Sequence, residues 1–458
     1  MKHGDPFPRR DASAPPSAEG HTGTIASLIQ GQLPSAAADA LRRIGDLAAA
    51  RGEAAYLVGG PVRDLLLGRP HADLDVVVEG DGIALAESAA TTLDANVVRR
   101  HDRFGTATIA LSEGIHLDVA TTRRETYPRP AALPVVERGT LADDLRRRDF
   151  TINAIAASLR PGEFGALRDA YGGVADVSGR RIRVLHAGSF VDDPTRIFRA
   201  VRLSERLSFE VEKRTEEALR ECVKAGWVAA LSGARVRNEV LLTLEEESPA
   251  AVFLRLEAWG VLERLPAPFP RGPSADRLEA ATVLCRAWGD LVPSFRRQKA
   301  LLFAWLGVLE ETPARETAQW LRLDRGLLAR LALVVARRSR VRDALRRAET
   351  QPSAWHDLLA DVDAEGLVAL AAEHDRAAWN RLLEAWRAAR QATPWVRGDD
   401  LRAMGFPPGP LYQDVLQATF RAQLDGCVAE RAEALDYARR EMERLLAEAH
   451  AGPASGLL

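Results

Sequence analysis

Two carboxylates, Asp73 and Asp75, stand two residues apart at the head of the apolar run Val76-Val77-Val78. In a strand, residues i and i+2 point to the same face, so the pair would project together. Neighbouring carboxylates repel each other unless a cation neutralises them, and a shell made only of oxygen ligands suits Mg2+. Upstream, Val58-Gly59-Gly60-Pro61-Val62-Arg63-Asp64 closes one apolar run and opens a helix-like segment. Glycines let backbone N–H groups approach phosphate oxygens at a helix N-terminus, where the helix dipole also favours anions. A phosphate cradle beside a divalent-metal site is the equipment of nucleotidyl transfer. Taken singly, a glycine pair reads as a turn and Asp-x-Asp as a solvated loop. Their order and spacing, with Arg147-Arg148-Asp149-Phe150-Thr151-Ile152-Asn153 downstream, point to chemistry.

In such a transfer a 3′-hydroxyl attacks an α-phosphate and pyrophosphate leaves. Three carboxylates holding two metals can serve it. The third carboxylate is expected on a neighbouring strand, and Asp118 is the acid within the alternating run Ile115-His116-Leu117-Asp118-Val119-Ala120. In the downstream motif, Asp149 can accept hydrogen bonds from ribose hydroxyls, while Arg147 and Arg148 can grip phosphate oxygens. A further motif is Asp192-Asp193-Pro194-Thr195-Arg196-Ile197-Phe198-Arg199-Ala200-Val201-Arg202. Aspartate followed by proline is a good helix start, and Arg196, Arg199 and Arg202 drift slowly around one side of that helix. Arg235 and Glu239 stand four apart and are expected to pair. The dipeptides His356-Asp357 and His374-Asp375 lack the companions a metal phosphohydrolase needs and read as exposed helix faces.

These groups need a scaffold. Strands are expected at 55–58, 75–78, 106–111 and 116–120, with a helix near 83–93. Beyond Pro194 the pattern is almost wholly helical to Leu446, with breaks near Pro249, Pro266 to Pro273, Pro293, Pro313, Pro352 and Pro394. At 458 residues the chain predicts about two to four domains. No run approaches the ~18–20 apolar residues of a membrane span. The proline-rich start reads as a disordered leader over residues 1–24. Cys222, Cys285 and Cys427 are widely separated, which argues against a zinc site and for a reducing, cytoplasmic setting. Net charge is −2, and arginine supplies nearly all the positive charge, so any RNA surface must be a local patch.

With these motifs in register from about Ala55 to Glu212, the sequence resembles class II polymerase-β-like nucleotidyltransferases: CCA-adding tRNA nucleotidyltransferases and bacterial poly(A) polymerases. The resemblance implies an α+β fold, a small mixed α/β polymerase-β-like nucleotidyltransferase head followed by an elongated all-α neck, body and tail. The expected boundaries are 25–185 for the catalytic head, 186–265 for a base-recognising neck, 266–350 for the body and 351–458 for an RNA-binding tail. It implies Mg2+ on Asp73, Asp75 and Asp118, with Gly59, Gly60, Arg63 and Asp64 framing the triphosphate. Arg147, Arg148, Asp149 and Asn153 locate the nucleotide, with Asp149 at the ribose. Asp193 and Arg196 serve as a protein template that reads incoming C or A, with Arg199 and Arg202 beside them. Asp192 departs from the family, which usually has glutamate there. Asp169-Ala170-Tyr171-Gly172-Gly173 through Arg183 is similar to the family's hinge and reads as structural.

The implied activity is to build or repair the 3′-terminal CCA of tRNA from CTP and ATP. Alternatives are a CC-only or A-only enzyme working with a complementary partner, a poly(A) polymerase, or a silent RNA-binding relative. The segment from Arg123 to Pro134 resembles the family's flexible loop but is compact, as in the split-activity enzymes. Both carboxylates of Asp-x-Asp are present, which argues against the silent reading.

Overall fold

The computed structural model describes residues 24–450, apart from 70–72, 103–104, 112–113, 273, 290–291, 293 and 348. Nearly all of the expected leader, and Pro273 and Pro293, lie outside the described residues. In chain order the strands are β1 Ala54–Val58, β2 Asp73–Glu79, β3 Asn96–His101, β4 Thr106–Ala110, β5 His116–Thr121, β6 Arg123–Thr126, β7 Val135–Arg138, β8 Ala156–Ser158, β9 Leu167–Arg168, β10 Arg181–Ile182 and β11 Glu210–Val211. The first ten helices are α1 Ala26–Gln32, α2 Ser35–Ala50, α3 Gly60–Leu66, α4 Gly82–Thr92, α5 Leu141–Arg146, α6 Gly173–Ser178, α7 Ser189–Asp192, α8 Thr195–Leu207, α9 Lys213–Lys224 and α10 Gly233–Glu245.

One mixed sheet runs β3-β4-β5-β2-β1-β8-β9. Its central pair, β2 and β5, is parallel, and its other neighbours are antiparallel. The first half of β2 alternates exposed Asp73 and Asp75 with buried Leu74 and Val76, and from Val76 to Val78 every residue is buried. The strand is therefore open on one face only where the carboxylates lie. Helices α2 and α4 cover the other face with Leu41, Ile44, Ala48, Leu85, Ala86 and Ala89. All four expected strands and the expected helix are present, and β2 starts at Asp73 rather than Asp75. Strand β3, the β6–β7 hairpin and the short β8 and β9 were not expected, because their residues carry little apolar alternation. Beyond Pro194 the short β11 pairs with β10, a small departure from an all-helical pattern.

The described residues fall into two units: one reaches Glu239 and includes Arg255–Pro266, and the other holds Val240–Leu254 and the chain from Ala267 onward. The second unit is helical throughout, from Ser274–Trp288 to Arg431–His450. It is built on the wholly buried run Ala300 to Leu306, where Trp305 stacks on Phe253 with ring centroids 4.0 Å apart. Pro249 and Pro352 open helices, and Pro313 sits in the first turn of Glu311–Trp320. In the first turn a missing N–H costs nothing, so these prolines start helices rather than break them. Asp375 caps the helix Arg376–Gln391 by accepting from the Ala378 amide at 2.9 Å, and His374 is half-buried beside it. That pair is therefore a helix junction and not an exposed helix face.

Candidate active site

The parallel register of β2 and β5 sets Asp75 directly across from Asp118, and Asp73 across from His116. Adjacent strands lie about 4.8 Å apart, so Asp118 stands one strand spacing from Asp75, and all three carboxylates share one exposed face. Thr108 of β4, opposite Asp118, donates its hydroxyl to Asp118 Oδ1. Asp73 is 81% exposed, and its Oδ1 is 3.9 Å from His116 Nδ1. Among the described residues no three acidic, histidine or cysteine side chains already converge into a shell. By donor type, register and exposure the three aspartates suit a hard divalent cation, which would draw them together.

Beside this face, Gly59 caps α3 with φ 75° and ψ −131°, a backbone that only glycine adopts easily. A Cβ there would stand 2.5 Å from Arg148 Nη1. The Gly59 amide donates to Ile155 O at 3.0 Å, so Gly59 makes room for an arginine rather than offering its own N–H to phosphate. Arg63 grips Asp64 with a two-bond fork at 2.8 and 2.9 Å and donates to Asn153 Oδ1 at 2.6 Å. Both members of the fork are buried.

Asn153 Nδ2 in turn donates to Asp149 Oδ1 at 3.1 Å, which also accepts from the Phe150 amide at 2.8 Å. Arg199 Nη2 stands 2.8 Å from Asp149 Oδ2 as an ion pair. Burial pushes the Asp149 carboxyl toward protonation, but Arg199, Asn153 and the Phe150 amide outweigh it and hold the group below the ordinary carboxylate range. Arg147 and Arg148 both clasp Asp144, whose side chain is fully buried. Here too burial opposes ionisation and the two arginines overcome it, so Asp144 stays charged to unusually low pH.

The remaining arginines differ sharply in freedom. Arg196 is buried, and its two terminal nitrogens are engaged, with Ser189 Oγ at 2.5 Å and Arg147 O at 2.8 Å. Arg202 is buried against Glu239. Arg199 keeps a side chain 46% exposed. The expected i,i+4 pair of Arg235 and Glu239 is not formed: Glu239 takes Arg202, and Arg235 Nη2 reaches Asp193 Oδ1 at 2.5 Å. That same Oδ1 accepts from the Thr195 amide at 2.9 Å and hydroxyl at 2.6 Å, capping α8.

A family profile described as the poly A polymerase head domain matches residues 55–183, and one described as a probable RNA and SrmB-binding site of polymerase A matches 208–269. Over 91% of its length the chain is 34% identical to the A-adding tRNA nucleotidyltransferase of Geobacter sulfurreducens, but it spans only about half (48%) of that relative. With the A-adding tRNA nucleotidyltransferase of Halalkalibacterium halodurans it shares 31% identity over 92% of this chain and 96% of the relative. The chain belongs to the tRNA nucleotidyltransferase family. A solved CCA-adding enzyme in an apo form superposes with a TM-score of 0.79, at 31% identity, covering 93% of this chain and 99% of the other. The resemblance and the α+β fold class expected from the motifs are thus borne out.

For a tRNA nucleotidyltransferase, several residues at this site escaped the sequence. Glu125 of β6 accepts from Arg123, from Arg147 at 3.3 Å and from the Tyr127 hydroxyl at 3.1 Å. Burial, opposed by Arg196 and reinforced by Glu125, pushes the Tyr127 phenol up to about 12. The segment expected as a compact loop is the β6–β7 hairpin, held to the Arg147 motif through Glu125. Asp144 had a legible signal, since it stands three and four residues before Arg147 and Arg148. The Arg235–Asp193 and Thr108–Asp118 contacts had none in local spacing. The hinge motif is structural as expected: Asp169 accepts from the Gly173 and Val174 amides, and Asp176 from Thr151, Arg181 and Arg183.

Proposed function

We propose that this chain completes the 3′-terminal CCA of tRNA by nucleotidyl transfer from ATP and CTP. The observation that carries the reading is the β2–β5 register, which aligns Asp73, Asp75 and Asp118 on one exposed face. In this reading the three aspartates hold Mg2+, which when bound neutralises charge on the attacking and leaving oxygens. The chain's own groups do the placing. Arg199, the most open of the arginines around Asp149, meets the nucleotide first and uncovers Asp149 for the ribose. Arg147 and Arg148, fixed by Asp144, line the phosphate path, while Arg63 with Asp64 and Asn153 braces it under the Gly59-Gly60 turn. Asp193, with its side chain 18% exposed and one oxygen taken, turns the other to the base, and Arg196 fixes its helix from beneath.

Head 25–185 carries the chemistry in this scheme, neck 186–265 the base reading, and the helical body 266–350 and tail 351–458 the tRNA shape, through phosphates and 2′-hydroxyls. A second, narrower reading is addition of the terminal A alone, from ATP. It is supported by the short hairpin in place of a long loop and by the 34% identity to an A-adding relative, against 31% to a CC-adding one, each aligned over nine-tenths of this chain. A separate CC-adding activity would then have to supply its substrate. The cytoplasm is the proposed compartment. Among the described residues no helix is long and apolar enough to cross a membrane, and all three cysteines are free.

The test offers each NTP singly, with Mg2+, to tRNAs lacking the whole CCA, lacking CA, or lacking only the final A. A-only addition predicts ATP incorporation on the third acceptor alone. A full CCA enzyme works on all three, a CC-adding enzyme only on the first two with CTP, and a poly(A) polymerase extends with many adenylates. No incorporation on any acceptor overturns the reading.

A further inference from the structure

Arg235 occupies an unusual place for a cation. It lies in the first turn of α10, where the helix dipole disfavours positive charge. Its guanidinium joins three distant segments. Nη2 donates to Asp193 Oδ1 at 2.5 Å, Nη1 donates to the Ala131 carbonyl at 2.8 Å, and the Ala131 amide donates to Val191 O at 3.1 Å. Ala131 sits in the turn of the β6–β7 hairpin with φ 56°. The Arg235 side chain is 21% exposed, which excludes a merely solvated surface charge.

The two Thr195 donors and Arg235 together saturate Oδ1 of Asp193. Thr195 alone holds that oxygen from the α8 side and leaves the carboxylate plane free to rock about its bond to Cβ. A third donor, anchored independently to the hairpin, fixes the plane and so the direction in which Oδ2 points. We propose that Arg235 is a specificity-positioning residue: it aims the uncommitted oxygen of Asp193 at the base of the incoming nucleotide and never touches the nucleotide itself. This rests on Asp193 reading the base, as proposed above.

Incorporation of each NTP by the full chain, on the acceptor that the wild type extends, tests it with Arg235→Ala and Arg235→Lys. A loosely aimed carboxylate accepts the amine of A or C less well and excludes the carbonyl of G or U less well. Arg235→Ala should therefore lower the ratio of correct to incorrect incorporation (ATP over GTP, CTP over UTP) by roughly 10-fold, the lower part of the range for one base-edge contact. A lysine ammonium is not a fork but can still reach one of the two acceptors, so Arg235→Lys should restore part of that ratio. Thermal unfolding of each variant separates aim from stability. Equal depression of all four NTPs with an unchanged ratio would overturn the proposal, as would full selectivity in Arg235→Ala. A wild type that incorporates nothing would instead sink the function itself, and that control comes before any variant.

Discussion

Replacing Asp193 by asparagine should invert base choice, and the structure says why the inversion cannot be evaded by an amide flip. Asparagine keeps one acceptor oxygen and exchanges the other for a donor NH2. Around Oδ1 stand three donors: the Thr195 amide at 2.9 Å, the Thr195 hydroxyl at 2.6 Å and Arg235 Nη2 at 2.5 Å. Turning the NH2 toward them would set donor against donor, so the amide oxygen is held there and the NH2 must face the base. That NH2 opposes the amino group of A or C and matches the carbonyl of G or U. Changing one base-edge hydrogen bond from matched to mismatched is worth about 1–3 kcal/mol, or roughly 5- to 150-fold at about 1.4 kcal/mol per decade. Stability should fall by only about 1 kcal/mol, since the α8 cap survives and only the charge on the Arg235 contact is lost. The assay is kcat/KM for each NTP offered singly to a tRNA lacking its terminal A, with Tm measured alongside. A drop shared equally by all four NTPs would refute the argument and leave Asp193 a helix cap.

Three further outcomes are expected. Asp73→Ala, Asp75→Ala and Asp118→Ala should each lower incorporation by roughly 10³-fold or more, since metal-assisted charge neutralisation is lost, while tRNA affinity and Tm stay near wild type because all three side chains are exposed; parallel loss of folding would make them structural. Gly59→Ala should cost about 1–3 kcal/mol through its positive φ and the clash with Arg148, read as a lowered Tm; an unchanged Tm would show that the α3 turn relaxes freely. Asp144 is held ionised below the ordinary carboxylate value by Arg148 and Arg147 against the pull of burial, so its contribution is complete above about pH 4 and is lost as pH falls through its lower folded value. Wild-type Tm should therefore drop more steeply than that of Asp144→Asn as pH falls below about 4, and parallel acid limbs would contradict the assignment.

How much of this was legible depended on whether the signal was local. Asp73, Asp75 and Asp118 could be read because a carboxylate inside an alternating run must face out. The parallel pairing that sets Asp75 against Asp118 was not legible, since register between distant strands leaves no mark in either one. Arg196, Arg199 and Arg202 looked alike, three arginines at one spacing on one helix. The structure separates them by remote partners: Ser189 and Arg147 for the first, Asp149 for the second, Glu239 for the third. The helix also buries Ile197, Phe198, Ala200 and Val201, so α8 has no simple polar face, and Arg196 and Arg202 are carried inward by their partners. The Arg235–Glu239 expectation failed for the same reason: a local i,i+4 pair gains only a few tenths of a kcal/mol, and the remote partners Asp193 and Arg202 outcompete it.

The near-neutral net charge acquires a meaning from these pairs. Arg63 is matched by Asp64, Arg147 and Arg148 by Asp144 and Glu125, Arg199 by Asp149, Arg202 by Glu239 and Arg235 by Asp193. A cation already held by a carboxylate is fixed before any ligand arrives, so little reorganisation is needed when a charged nucleotide binds. Such pairing also silences most of the arginines as free grips. Exposed toward solvent among the described residues at this site are the three aspartates on β2 and β5, and Arg199, half-exposed over the buried Asp149. A ribose hydroxyl donated to Asp149 would add a hydrogen bond to a carboxylate that Arg199 already neutralises. The nucleotide is therefore expected between the exposed aspartate face and Arg199, with the paired arginines holding that gap in shape.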